Sequence, residues 1–327
     1  MARYFAGNTL AAFSRNNTAP VEVSTAGSFD STYVANSIQL NTNAGGYIQS
    51  APFSATGTVW LHFDKYFGTT DVSNQKSSTG PMLWNNTLGV GVFRLAALAD
   101  FSSLVQPQYW NGSAWTNTGT AIVLASNARA QVDVKVVLGA SFELYVDGVL
   151  QTSGTSWAGS PPTTVTHFRG YGWGNGTGTG QTYLSQILVA DFDTRSSKYF
   201  CRLATANGTH TDGTGTFTDI NEAVLDDATS INLPIVGNRK SFTKSSISVP
   251  AGYAISAMVI AGRATVASPA SDGKANIRSG GTTYASAGLG LTAGIEPFNY
   301  MATTDPATGS AWTQAGFNSA EFGIEAA

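Results

Sequence analysis

The segment Gln131 to Thr152, QVDVKVVLGASFELYVDGVLQT, constrains the chain more than any other. Val132, Val134, Val136 and Leu138 alternate with Asp133, Lys135 and Val137, and Phe142, Leu144 and Val146 alternate with Glu143, Tyr145 and Asp147. A period of two over consecutive runs is that of strands with one buried face. Gly139-Ala140 separates the runs, and Asp147-Gly148 closes the second with a hairpin signal. The segment therefore predicts a three-strand antiparallel meander, with Val149 and Leu150 opening the third strand and Val146 in the core.

Short apolar runs broken by Gly, Asn and Ser recur along the first two thirds of the chain, which predicts a sandwich rather than helices. Phe29 to Leu40 and Tyr47 to Ala51 read as early strands. In Thr58 to Phe67, Val59, Leu61 and Phe63 face one way and Trp60, His62 and Asp64 the other. Pro81 to Trp84, Leu88 to Leu98, a hairpin tip over Tyr109 to Trp115, Thr166 to Tyr171 and Tyr183 to Asp193 follow. The wording L-Y-V-D-G-V-L after a strand and a tight turn, together with the closing strand TYLSQILVADF, resembles concanavalin A-like (laminin-G-like) jelly rolls. That resemblance spans roughly Val21 to Asp193 and implies a sandwich whose rim loops bind ligands.

Charged residues make up 11% of the 327-residue chain, against roughly 25% in an average soluble protein. Ser279 to Ile295 has no charge at all until Glu296. Such a surface suits all-β proteins that pack into larger assemblies or work outside cells. A net charge of −3 provides no steering field, and no basic run points to nucleic acid. Cys201 is the single cysteine, so no disulfide can form within the chain; it reads as a small buried apolar residue. No apolar run approaches the ~20 residues of a membrane helix. Met1 to Asn17 lacks the apolar core of a secretory signal, so synthesis in a host cytoplasm is expected.

After Thr194-Arg195-Ser196-Ser197 the pattern changes. Asn221 to Ile231 carries E-x-x-x-D-D-x-T, Ala254 to Arg263 reads I-x-A-x-x-x-x-G-R, and Asp305 to Thr313 reads D-P-x-T-G-x-x-W-T before a closing Glu321-Phe322-Gly323-Ile324. This set resembles a C-terminal β-sandwich of tailed-bacteriophage virion proteins. It implies a structural component of a particle, in a tail, fibre, spike or decoration.

The chemistry is weighed motif by motif. A jelly-roll glucanase needs two carboxylates ~5 to 5.5 Å apart when retaining, and the strand pattern that would supply them is missing. Asp191 and Asp193 read as a strand end with a charge pair, and Glu143, Tyr145 and Asp147 as a sheet surface. His62, His167 and His210 are scattered and lack metal-ligand spacing. His210 to Gly215, with Asp212, has one acid and reads as a turn rather than a calcium site. The best binding candidate is the Gly-rich loop Gly170 to Gly180, where Tyr171 and Trp173 sit with Asn175. Sugar rings stack on aromatic faces, and an amide supplies directional hydrogen bonds. The alternatives are that Trp173 caps the core or packs on a neighbouring subunit. Trp110, Trp115 and Trp157 are weaker candidates.

The expectation is an all-β chain of two β-sandwich domains. Residues 1–20 form a strand or arm, 21–195 a concanavalin A-like jelly roll, and 196–327 a second β-sandwich. It is a bacteriophage virion structural protein, not an enzyme, without cofactor or metal, located in the virion. Its partners are other virion proteins, copies of itself with a trimer favoured, and host-surface polysaccharide, contacted through Tyr171, Trp173 and Asn175; no nucleic acid or membrane insertion is expected. The competing classes are a jelly-roll glycoside hydrolase and a soluble lectin.

Overall fold

The computed structural model describes residues 2–16, 21–23, 29, 33–34, 37–41, 46–67, 78–98, 104–125, 128–171, 181–221 and 227–327. The chain divides into two units, Met1–Tyr199 and Phe200–Ala327, and nearly all of its regular structure is antiparallel strand.

The first unit is built on two eight-stranded sheets. The meander forms an edge of one: Val149–Gly154, Ser141–Val146 and Arg129–Val137 lie side by side, followed by Thr58–Phe67, Gln181–Ala190, Ser37–Asn41 and Val21–Val23. Asp147 (φ 49°) and Gly148 (φ 78°) both take positive φ, the requirement of the tight type I′ hairpin that matches strand twist. Val132, Val134 and Val136 stand opposite Val146, Leu144 and Phe142, and five of the six are buried in the core. Val146, expected there too, is only half-buried, because it is the last strand residue before the turn, at the end of the sheet, opposite the exposed Val149.

The second sheet runs Trp115–Asn117, Leu104–Trp110, Val90–Ala97, Ser78–Asn85, His167–Tyr171, Tyr47–Ser50 and Phe13–Arg15, with Ile122–Val123 against the start of Leu104–Trp110. Aromatic rings fill the space between the sheets. Phe5 meets Phe13 at 5.2 Å, Phe13 meets Phe168 at 6.3 Å, Phe93 meets Phe142 at 5.3 Å, and Trp157 stacks on Tyr109 at 4.7 Å. Trp157 is thus a core residue, not a ligand contact.

Of the strand-or-arm alternatives for residues 1–20, the described part forms strands. Arg3–Gly7 pairs with the second half of Gln181–Ala190, and Phe13–Arg15 pairs with Tyr47–Ser50. The pairing works because Gln181–Ala190 bulges between Ser185 and Leu188, where Gln186 takes φ 51°. A bulge frees one backbone group from the ladder; here the Gln186 N–H donates to Asn8 Oδ1 at 2.7 Å.

The second unit carries a five-stranded sheet, ordered Ala204–Thr211, Arg239–Lys244, Glu321–Ala326, Gly273–Ser279 and Thr282–Gly288, and the pair Met258–Ala264 with Glu296–Ala302. Ile247, Met258, Ile260, Ile277, Leu291, Phe298, Trp312 and Phe317 form its core. The phrase Asp305 to Thr313 is a structural clasp. Asp305 Oδ1 accepts from Ser279 Oγ (2.7 Å) and the Ala307 N–H (3.0 Å), and Trp312 Nε1 donates to the Ala302 carbonyl at 2.9 Å. Thr313 then caps the helix Gln314–Ser319 by accepting from the Gly316 N–H. Cys201, read as buried, is half-buried. Part of the Asn221 to Ile231 phrase lies outside the described residues.

Candidate ligand-binding face

Each sheet of the first unit has one face on the core and one turned away from it, and the two outward faces differ. On the first sheet, the alternation that buries Val59, Leu61 and Phe63 sends Trp60, His62 and Asp64 outward beside Asp133. The chain then folds back over them. Thr194 Oγ1 donates to Asp133 Oδ1 at 2.7 Å, Gln131 Nε2 donates to the Arg195 carbonyl at 2.7 Å, and the Tyr199 N–H donates to Gln186 Oε1 at 3.0 Å. The Arg195 guanidinium lies 4.5 Å from the Tyr145 ring, which itself stacks on Trp60.

His62 Nδ1 and Asp133 Oδ1 are 2.8 Å apart, both buried under this cover. Burial pushes the Asp133 carboxyl up, but hydrogen bonds from His62, Gln131 and Thr194 outweigh it and hold the group below its usual range. Asp64, bound by Arg129 at 2.7 Å, goes the other way, because burial outweighs its cationic neighbours. Hydrogen bonds join these groups into one network, in which His62 Nε2 and Asp64 Oδ1 are buried without a hydrogen-bond partner among the described residues. The strand-end reading holds for Asp191 and Asp193: the first accepts from the Ala2 N–H and the second pairs with Arg195. Beside the cover lies an open depression of about 380 Å³ lined by Arg129, Gln131, Asp147, Gly148, Arg195 and Lys198.

The outward face of the second sheet is organised by register. Asn117, Gln108, Arg94, Met82, Arg169, Gln49 and Ser14 are successive cross-strand partners and form one row across seven strands. Cross-strand neighbours on one face are close enough to bond, and the polar members do. Gln108 Nε2 donates to Asn117 Oδ1 (2.8 Å), Arg94 Nε to Gln108 Oε1 (2.7 Å) and Arg169 Nε to Gln49 Oε1 (2.6 Å). Two residues to one side of the row are Trp110, Trp115 and Trp84, and two residues to the other side are Tyr47 and Tyr171.

The rings hold the cations. Arg94 lies 4.1 Å from the Trp115 ring, and Arg169 sits between Trp84 (3.7 Å) and Tyr47 (4.5 Å). Tyr47 and Tyr171 are 5.0 Å apart, and Trp110 meets Trp115 edge-on at 5.7 Å. Gly91 makes room for Trp115: a Cβ there would fall 2.4 Å from the indole. Trp110, Trp115, Trp84, Tyr47, Tyr171, Gln108 and Gln49 are half-buried, and Asn117 and Asn86 are exposed. Burial pushes the Arg94 guanidinium down to about 10, and burial followed by Arg169 pushes His167 down to about 4. The first therefore stays charged and the second neutral near pH 7.

Of the residues singled out in the Gly-rich loop, Tyr171 is on this face; Trp173 and Asn175 lie outside the described residues. The sequence reading missed Tyr47, Gln49, Trp84, Arg94, Gln108 and Arg169. Alternation would have placed His167, Arg169 and Tyr171 together, but which strand lies beside which is not written in any one segment. Among the described residues, no group of three His, Cys, Asp or Glu is placed to hold a metal. Asp212 accepts from the Arg239 N–H at 2.9 Å, and His210 Nε2 bonds Thr283 Oγ1 at 2.7 Å.

No protein-family model and no curated protein matches the chain. It is similar to the globular domain of T. cruzi calreticulin (TM-score 0.44, 14% identity, covering 59% of this chain and 90% of that one). It is also similar to a cellulose induced protein (0.42, 14%, 57% and 94%) and to the botulinum neurotoxin serotype D binding domain (0.40, 8%, 53% and 43%).

Proposed function

We propose that the chain is a structural protein of a bacteriophage particle that binds host-surface polysaccharide through the outward face of its second sheet. The observation that carries the binding half is the registered row of amides and arginines flanked by half-buried tryptophans and tyrosines. Pyranose rings stack on such aromatics while hydroxyls meet directional amides, and sites of this kind pair apolar surface with a few placed polar groups. Binding rather than hydrolysis is the reading, because the eight strands of this sheet contain no Asp or Glu, whereas glycoside hydrolysis ordinarily needs two carboxylates.

The particle half rests on the resemblance of residues 196–327 to phage virion sandwiches and on the low charge content. Self-assembly, with a trimer favoured, belongs to the same proposal. The edge strand Val149–Gly154 carries no charge, and Val149 and Leu150 are 62% and 52% exposed; natural edges are normally blunted or covered. The test is a density gradient of lysate from infected cells probed with antibody to this chain, with retention of the purified chain on host cell-wall polysaccharide. Co-sedimentation with particles and retention are expected. A chain found only at the top of the gradient overturns the particle half, and unretained chain overturns the binding half.

A further inference from the structure

The two sheets of the first unit treat positive charge differently. The strands of the first sheet include Glu22, Asp64, Asp133 and Glu143, and its outward cations meet carboxylates: Arg129 pairs with Asp64 at 2.7 Å and Lys135 with Glu143 at 2.8 Å. The strands of the second sheet hold Arg15, Arg94, Arg169 and His167 and no acid. Arg169 is 9% exposed. A guanidinium that deep is ordinarily met by a carboxylate, since a buried charge is costly without one. Its partners among the described residues are Gln49 Oε1 at 2.6 Å, Asn86 Oδ1 at the long distance of 3.5 Å, the Tyr171 hydroxyl and two ring faces. All are neutral at pH 7.

Cation–π contact and amide dipoles hold the charge in place but leave it uncancelled. Arg169 therefore presents its charge among stacking surfaces, with no ion pair among the described residues. Arg94, stacked on Trp115, lies in the same row. A saccharide stacked on these rings would bring its ring substituents beside the guanidinium groups. Arginine's planar fork matches a carboxylate better than it matches a point anion.

We propose that this face selects acidic saccharides, specifically uronate-type chains whose carboxylates pair with Arg169. The proposal rests on the polysaccharide-binding reading above and narrows its ligand class. The nearby His167 is a built-in reporter: an anion brought to Arg169 offsets the positive field on the imidazole and raises its pKa, whereas a neutral sugar does not.

The test uses the full chain and five probes: polygalacturonate, alginate, methyl-esterified polygalacturonate, dextran and dextran sulfate, followed by affinity electrophoresis at physiological ionic strength. Binding to polygalacturonate or alginate is expected, weaker by about tenfold or more once the carboxylates are esterified. Equal binding of the acid and its ester leaves polysaccharide binding standing and overturns acid selection. Dextran sulfate binding as tightly as the uronates reduces the effect to bulk charge and overturns carboxylate selection. Binding of none of the five overturns both readings.

Arg169→Gln is expected to abolish the preference for acid over ester. Should that variant not fold, the wild-type chain still decides. The His167 titration followed by NMR is expected to move up by about one unit or more on saturation with polygalacturonate, and an unmoved titration overturns the proposal.

Discussion

At the scale of single residues, the second sheet's outward face depends on two positions with no ligand chemistry of their own. Gly91 is one. Alanine there would drive a Cβ to 2.4 Å from the Trp115 indole, so the ring must leave its place over Arg94. Gly91→Ala is expected to shift the Trp115 indole resonance and to weaken polysaccharide retention, with only a small loss in Tm. His167 is the other. Burial first, and Arg169 second, lower its pKa to about 4, below the ~6.5 of an unfolded histidine. Between those values the unfolded chain binds the proton and the folded one does not, so stability falls as pH drops from about 6.5 toward 4. The contribution is complete above pH 6.5. His167→Asn is expected to flatten that part of a Tm-against-pH curve, and an unchanged slope would show that another group causes it.

At the scale of elements, the meander separates core from surface within one hairpin. Val134→Asp places a charge between the sheets, costing several kcal/mol, while Val146→Asp, half-buried beside the turn, is expected to cost much less; urea melts of the two variants check the register. In the second unit, Asp305→Ala removes the acceptor of Ser279 Oγ and the Ala307 N–H. About 1 to 3 kcal/mol of that unit's stability is expected to go, and a first-unit transition that moved equally would contradict the division at Tyr199.

These contrasts also show what could be read before any coordinates. Period-two runs are local, so Val59, Leu61, Phe63, Val132, Val134 and Val136 were legible as core, and Asp147-Gly148 as the turn. Pairing between distant segments is not local. Nothing in Arg3–Gly7 announces that it joins Gln181–Ala190, which needs a bulge at Gln186. Nothing in PMLW announces that Trp84 will lie over Arg169. Tyr171 was found because it sits among glycines; Gln49, which bonds Arg169 on the same strand as Tyr171, lies 120 positions from that arginine in the chain and is brought beside it only by sheet order.

At the scale of the whole molecule, two outward faces of one sandwich have opposite fates. The first is covered in part by residues 193–199 through Thr194, Arg195 and Tyr199. The second keeps rings and amides at a half-buried surface, where Arg169 has no ion pair among the described residues. Light scattering of the purified chain bears on assembly. A mass near three times 34.0 kDa is expected at micromolar concentration, and it is expected to fall when Val149 and Leu150 are changed to lysine on the uncharged edge strand. A monomer at all concentrations would remove self-association in solution from the proposal.

The most direct measurement is a paired-face comparison on immobilised host cell-wall polysaccharide. Trp115→Ala and Tyr171→Ala alter the second sheet's outward face, and Tyr145→Ala alters the first. With melting temperatures recorded for all three, the second-sheet variants are predicted to lose retention by about tenfold, some 1.4 kcal/mol, while Tyr145→Ala binds as the unaltered chain does. Undiminished retention in both second-sheet variants, or loss confined to Tyr145→Ala, would contradict the assignment of the binding face.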